Sequence, residues 1–146
     1  MKYANIALAA GLIGLPTTAL GTTDVTVVTT PGICTEFSFA GKHLRCSALA
    51  STHTDHSQRS GFTFASLERS IRFEGGQDMT LAAHRYLLMV DTVMDGDKSF
   101  PAVGQCTAEL SASKRHVLSL ICEATFLSGK ARVLFKSTGM PSVQKL

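Results

Sequence analysis

An alternating pattern near the C-terminus constrains the fold of this 146-residue chain more than any other feature. Every second residue between positions 118 and 126 is small or apolar: Leu118, Leu120, Cys122, Ala124 and Phe126. A period of two predicts a strand with one buried face. Ser128-Gly129 then separates two apolar runs, which predicts a hairpin with Phe126 opposite Ala131.

The same strand predicts a second hairpin with the residues that precede it. The predicted pairs share one face: Cys122 with Cys106, Leu120 with Ala108, and Leu118 with Leu110. The opposite face would carry Val117, Ser119 and Ile121. Because a slip of one residue would turn all buried side chains outward, the pattern favours this register for a three-stranded meander.

Four cysteines suggest two disulfides, and four cysteines allow three pairings. The register of the meander favours Cys106–Cys122, because residues opposite each other in an antiparallel pair lie within disulfide range. Cys34–Cys46 follows by elimination. Zinc is the alternative, but the spacings of the cysteines do not match compact zinc-ligand signatures.

The segment between Cys34 and Cys46 is itself a candidate hairpin that turns at Ala40-Gly41. A two-residue turn there would place Cys46 opposite Thr35 rather than Cys34. The predicted disulfide therefore requires a bulge or a longer loop.

Residues 1–21 have the pattern of a signal peptide. Lys2 precedes the apolar run Ile6 to Leu15, Pro16 ends it, and Ala19-Leu20-Gly21 offers small residues for cleavage after Gly21. The apolar run is too short for a membrane span, and no later segment is long enough without charges, so we predict no membrane span. The expected location is periplasmic or secreted.

The net charge of the remaining chain does not favour a strongly charged partner. Without Lys2, thirteen of the fourteen Lys and Arg remain against eleven Asp and Glu, a net charge of +2. These charges are scattered along the chain. Composition therefore predicts no nucleic-acid partner.

Other segments also favour strands. Residues 24–30 are rich in β-branched residues and end at Pro31-Gly32, and residues 62–73 form a hairpin candidate with Phe62 opposite Phe73. Residues 47–60 are polar and predict a surface loop or a frayed edge. Residues 139–146 predict a flexible tail.

Residues 79–94 are ambiguous. Asp78 could cap a helix that stops at Gly96, but Tyr86 to Val93 is apolar on both faces, as in a central strand. We interpret 85–94 as a strand. The predicted fold is all-β, a small antiparallel sandwich or barrel of about eight or nine strands in a single domain at 22–138. The alternative is an α+β fold with one helix at 79–94.

The segment His53-Thr54-Asp55-His56 is the only local cluster of metal-ligand residue types. Imidazoles and a carboxylate suit zinc, copper or nickel, so His53, Asp55 and His56 are the candidate metal ligands. A solvated loop is the simpler interpretation. His43 and His84 could join the cluster only if the fold brings them close.

Catalytic signatures are absent from the sequence. It has no GxSxG motif, and no cysteine stays free once two disulfides form. Asp91, within an apolar strand, is either a buried functional carboxylate or the partner of an arginine. Glu109 and Glu123 would form a surface charge network beside Arg132.

The chain resembles small exported proteins of Gram-negative bacteria with a two-disulfide β fold. The residues that carry this resemblance are Cys34, Gly41, Cys46, Gly61-Phe62, Phe73-Glu74-Gly75, Asp91, Gly104-Gln105-Cys106, Cys122-Glu123-Ala124 and Gly129. The resemblance implies a periplasmic location and a β fold, and no activity.

Three functional hypotheses follow. The first is a non-enzymatic module, without a cofactor, that binds an unknown protein or small ligand. The second is a metal-binding periplasmic protein that uses the loop from His53 to His56. The third is a hydrolase whose residues come together from distant strands, which a pocket with a Ser-His geometry would favour.

Overall fold

The computed structural model describes residues 24–113 and 116–146, so the expected signal peptide lies outside the described residues. This part of the chain contains eleven strands and no helix. The strands are β1 (Val25–Phe39), β2 (Lys42–His43), β3 (Ala48–Thr54), β4 (Arg59–Ala65), β5 (Ser70–Gly75), β6 (Gln77–Leu81), β7 (Arg85–Asp95), β8 (Lys98–Leu110), β9 (Val117–Phe126), β10 (Gly129–Ser137) and β11 (Ser142–Lys145).

Eight strands close into an antiparallel barrel. Their order is β10-β9-β8-β7-β5-β4-β3-β1, and β10 pairs with β1 to complete the circle. Strand β2 adds to β1, β6 continues along β7 beyond β5, and β11 continues along β1 beyond β10. The all-β prediction is confirmed, and of the two predicted architectures, sandwich and barrel, the structure is a barrel.

Side chains fill the middle of the barrel and close one end. Phe64 lies within 6.2 Å, centroid to centroid, of the rings of Phe37, Phe73 and Phe135. An eight-stranded barrel is just wide enough for such filling. At one end Phe39 stacks on Phe126 at 5.2 Å, beside Phe100.

The registers predicted for two hairpins are confirmed. Cys106 pairs with Cys122 and Ala108 with Leu120, while residues 62 and 64 pair with 73 and 71. The Cys106–Cys122 disulfide is present, with a Cα separation of 4.0 Å. Alternation was sufficient in these hairpins because each strand has one apolar face.

The turn of the β9–β10 hairpin was predicted one residue too late, which shifts the pairing by two residues. Phe126 pairs with Gly129 rather than Ala131, and Ala131 pairs with Ala124. A shift of two residues leaves the same side chains on the inner face, so alternation alone cannot distinguish the two registers.

The start of β9 also differs from the prediction. Leu110 pairs with Val117, because a bulge interrupts the ladder after Glu109 and makes Leu118 the extra residue. Val117 is consequently 5% exposed and Leu118 is 43% exposed. The prediction that Leu118 faces the core and Val117 faces outward was wrong.

The Cys34–Cys46 disulfide is present, with a Cα separation of 5.2 Å. The hairpin turns at Ala40-Gly41, and both residues have positive φ. A bulge between Cys34 and Glu36 leaves Thr35 as the extra residue. This irregularity brings Cys34 opposite Cys46, as the predicted pairing required.

The first strand is longer than predicted and does not end at Pro31-Gly32. Strand β1 runs through Pro31, whose carbonyl accepts a hydrogen bond from the Thr138 amide at 2.9 Å. The amide hydrogen that proline lacks would fall at the junction between β10 and β11. Pro31 therefore costs no ladder hydrogen bond there.

Three further segments required correction or decision. Residues 47–60, predicted as a polar loop, contain β3 and the start of β4. The tail at 139–146 contains β11, which pairs with residues 26–29 of β1. Residues 79–94 hold β6 and β7, so the strand interpretation is confirmed and the helix alternative is wrong. In the first two segments backbone pairing with β1 outweighs local composition.

Candidate functional site

A cavity of about 300 Å³ opens at the end of the barrel opposite the Phe39–Phe126 stack. We call it the mouth. Apolar side chains from four strands line it: Val28, Phe62, Leu110 and Val117. Its volume lies at the lower end of the range for small-molecule sites, which are mostly apolar with a few placed polar groups.

Four polar side chains, His53, Ser60, Asp78 and Tyr86, form a hydrogen-bonded chain in the mouth, the mouth network. His53 Nδ1 lies 2.9 Å from Ser60 Oγ. The Ser60 hydroxyl donates to Asp78 Oδ2 at 3.0 Å, and the Tyr86 hydroxyl donates to the same oxygen at 2.6 Å. One carboxylate oxygen therefore joins the two halves of the network.

The strand registers explain why these four residues meet. His53 and Ser60 are direct partners across the β3–β4 hairpin. Asp78 pairs with Leu88 across the β6–β7 hairpin, so Tyr86 is its diagonal neighbour. The barrel then brings the end of one hairpin beside the end of the other.

Tyr86 keeps its proton over a wide pH range. Burial raises the pKa of its hydroxyl, and the hydrogen bond to the Asp78 carboxylate raises it further. Tyr86 also packs edge-on against Phe62, with ring centroids 6.0 Å apart. Its ring is thus part of the apolar wall, while its hydroxyl belongs to the mouth network.

One hydroxyl in the mouth has no partner among the described residues. Ser51 Oγ is inaccessible to solvent and forms no hydrogen bond there. Ser51 pairs with Val28 and with Phe62, which places it between the apolar wall and the mouth network. A buried polar atom without a partner costs free energy.

The predicted metal ligands lie at the β3–β4 turn. His53 lies in β3, while Asp55 and the exposed His56 lie in the turn that follows. His53 Nε2 is 3.4 Å from Asp55 Oδ1. Across residues 24–113 and 116–146, no group of three or more His, Cys, Asp or Glu side chains could hold a metal ion, with His43 and His84 included.

Of the other candidate carboxylates, Asp91 and Glu123 lie in ion pairs on the outer surface, whereas Glu109 accepts a hydrogen bond from Ser119 and pairs with no described arginine. Asp91 accepts hydrogen bonds from Arg59, whose Nη2 is 2.6 Å from Oδ1, and this bond lowers the pKa of Asp91. The arginine-partner interpretation of Asp91 therefore holds. Glu123 pairs with Arg132, as expected for a surface charge network.

Sequence reasoning missed Ser60, Asp78 and Tyr86 as functional residues. Ser60 was assigned to a polar loop, and Asp78 was considered only as a helix cap. The one available signal was the pairing of residues 48–54 with 59–65, since this register sets His53 against Ser60. The link to Asp78 depends on the closed barrel and has no sequence signature.

Comparison with protein-family models, with curated proteins and with solved structures finds no match to this chain. The two disulfides nevertheless indicate an oxidising environment outside the cytoplasm. Within the described residues, no helix has the length and apolar character that crossing a membrane requires.

Proposed function

We propose that this protein is a non-enzymatic periplasmic or secreted module that binds a small ligand in the mouth of its barrel. The mouth carries the proposal. It combines an apolar wall, a four-residue polar network and a buried hydroxyl without a described partner in one cavity of about 300 Å³. Convergent polar groups in an apolar cavity are typical of small-molecule sites.

Export is supported by two independent features. The first 21 residues have the charged start, apolar run and small-residue cleavage pattern of a signal peptide. The disulfides require an oxidising compartment, which the periplasm and the extracellular medium provide. The resemblance to small exported proteins of Gram-negative bacteria agrees with both.

The direction of the hydrogen bonds argues against the hydrolase hypothesis. A serine nucleophile gives its proton to a histidine base. The mouth does contain a Ser-His pair, with His53 Nδ1 2.9 Å from Ser60 Oγ, but the Ser60 hydroxyl donates to Asp78 Oδ2. Ser60 is also 6% exposed, which restricts the approach of a substrate carbonyl. Binding therefore fits this geometry better than nucleophilic catalysis.

The test is amide chemical-shift mapping by NMR with three eight-carbon probes: octylamine, 1-octanol and octanoate. We expect at least one probe to shift the amides of Val28, Ser51 and Phe62. Ser51→Leu should abolish these shifts, because its longer side chain occupies the cavity. The matched control is Ser119→Leu, which changes the outer face of β9 and should preserve them. Shifts confined to other surfaces, or no shift with any probe, would reject the proposal.

A further inference from the structure

Asp78 Oδ2 accepts two hydrogen bonds in the mouth network. The Ser60 hydroxyl donates to it at 3.0 Å. Tyr86 donates its only hydroxyl proton to the same oxygen. The elevated pKa of Tyr86 keeps that proton in place.

This arrangement leaves acceptors rather than donors open to a ligand. Asp78 Oδ1 forms no hydrogen bond with a described residue, and the Tyr86 oxygen retains a lone pair. Two acceptor sites from the β6–β7 hairpin therefore remain at the rim of the cavity.

The charge of the mouth points the same way. Asp78 is the only Asp, Glu, Lys or Arg among the described residues that line the cavity. Arg59, the residue before Ser60, is engaged by Glu74 at 2.7 Å and by Asp91 at 2.6 Å. Asp55 adds a second carboxylate near His53 Nε2. An anionic head group would meet these carboxylates as like charges, and a cationic one as opposite charges.

We infer that the mouth binds a primary aliphatic amine in its ammonium form, and this inference rests on the proposed function. An ammonium group has three donors and no acceptor, which matches the acceptors Asp78 Oδ1 and Tyr86 Oη. The alkyl chain packs against Val28 and Phe62. Burying the chain supplies affinity, while the pairing of the ammonium group with Asp78 supplies selectivity.

The test compares the affinities of octylamine, 1-octanol and octanoate at pH 7 by calorimetric titration. These probes share a chain length and differ in head group. We expect octylamine to bind at least tenfold more tightly than 1-octanol, and octanoate to bind most weakly. Octanoate binding as tightly as octylamine would overturn the inference.

Two substitutions at position 78 separate charge from structure. Asp78→Asn should reduce the preference for octylamine over 1-octanol to about onefold, whereas Asp78→Glu should keep a preference for the amine. Asp97→Asn is the control, since Asp97 is an exposed carboxylate in the β7–β8 turn. A preference for the amine that survives Asp78→Asn would also overturn the inference.

The outcome distinguishes this inference from the proposed function. If 1-octanol binds in the mouth and octylamine has no advantage, the ligand class is wrong and the small-ligand site stands. If none of the three probes shifts the mouth amides, both proposals fail.

Discussion

Two adjacent glycines between β5 and β6 have different tolerances for a side chain. A Cβ at Gly75 would lie 1.8 Å from the backbone oxygen of Met89, whereas a Cβ at Gly76 would meet only the end of the Arg59 side chain at 3.5 Å. Gly75 sits near the irregularity of the β7–β8 ladder between Val90 and Thr92, where β7 changes partner from β6 to β5. The close approach of two backbones there leaves no room for a Cβ unless the backbone shifts.

Gly75→Ala should therefore lower the free energy of unfolding by about 1–3 kcal/mol, the usual cost of overpacking. Gly76→Ala is the matched control and should change it by less than about 0.5 kcal/mol. Urea denaturation of both variants measures the difference. Equal stability of the two would contradict the close approach of Gly75 to Met89.

At the scale of the element, the bulge at the start of β9 decides which side chains face the core. Without it, the alternation at Leu120 and Cys122 would continue and bury Leu118. With Leu118 as the extra residue, Val117 turns inward and becomes part of the mouth. One additional residue in a strand thus changes the composition of the candidate site.

Val117→Asp should destabilise the protein by about 2 kcal/mol or more, because it places a carboxylate in an apolar wall. Leu118→Asp should cost less than about 1 kcal/mol, since Leu118 is 43% exposed. Urea denaturation at pH 7 checks both variants. A larger loss of stability in Leu118→Asp than in Val117→Asp would contradict the bulge. It would show that Leu118 faces the core and that Val117 does not line the mouth.

At the scale of the whole molecule, two arginines each connect three barrel strands on the outer surface. Arg59 of β4 pairs with Glu74 of β5 and Asp91 of β7. Arg132 of β10 pairs with Glu36 of β1 and Glu123 of β9. Both disulfides are local, spanning 12 and 16 residues, so the β1–β10 closure has no covalent support.

The ion pair between Arg59 and Asp91 makes the free energy of unfolding depend on pH. Its hydrogen bond lowers the pKa of Asp91 below 3.8, so this contribution is present above about pH 4 and is lost as the pH falls through the lowered value. Asp91→Asn should cost up to about 1 kcal/mol at pH 7, because Asp91 is half exposed, and less at pH 2.

Thermal denaturation between pH 2 and pH 7 measures this difference, with Asp97→Asn as the control. Asp97 forms no ion pair with any described residue, so its removal should leave the pH profile unchanged. A gap between wild type and Asp91→Asn that stays constant down to pH 2 would contradict the assignment of the pair.

Much of the strand pattern could be predicted from the sequence, while the candidate site could not. Alternation around Leu120 and Phe64 specified inner and outer faces, because the side-chain direction in a strand depends only on residue parity. The same rule misassigned Val117, since a bulge changes parity and leaves no trace in the alternation. Of the four residues in the mouth network, the sequence analysis named only His53 as a functional candidate, and it predicted metal binding there.

The sequence by itself predicted the all-β class and the Cys106–Cys122 pairing, because these depend on alternation within short segments, whereas Cys34–Cys46 followed only by elimination. Only the tertiary structure decided that the strands close into a barrel, through the pairing of Gly32 with Ser137. It also decided that Asp78 and Tyr86 meet Ser60. The choice of neighbouring strands depends on how the whole chain buries its apolar faces, and no single segment contains that information.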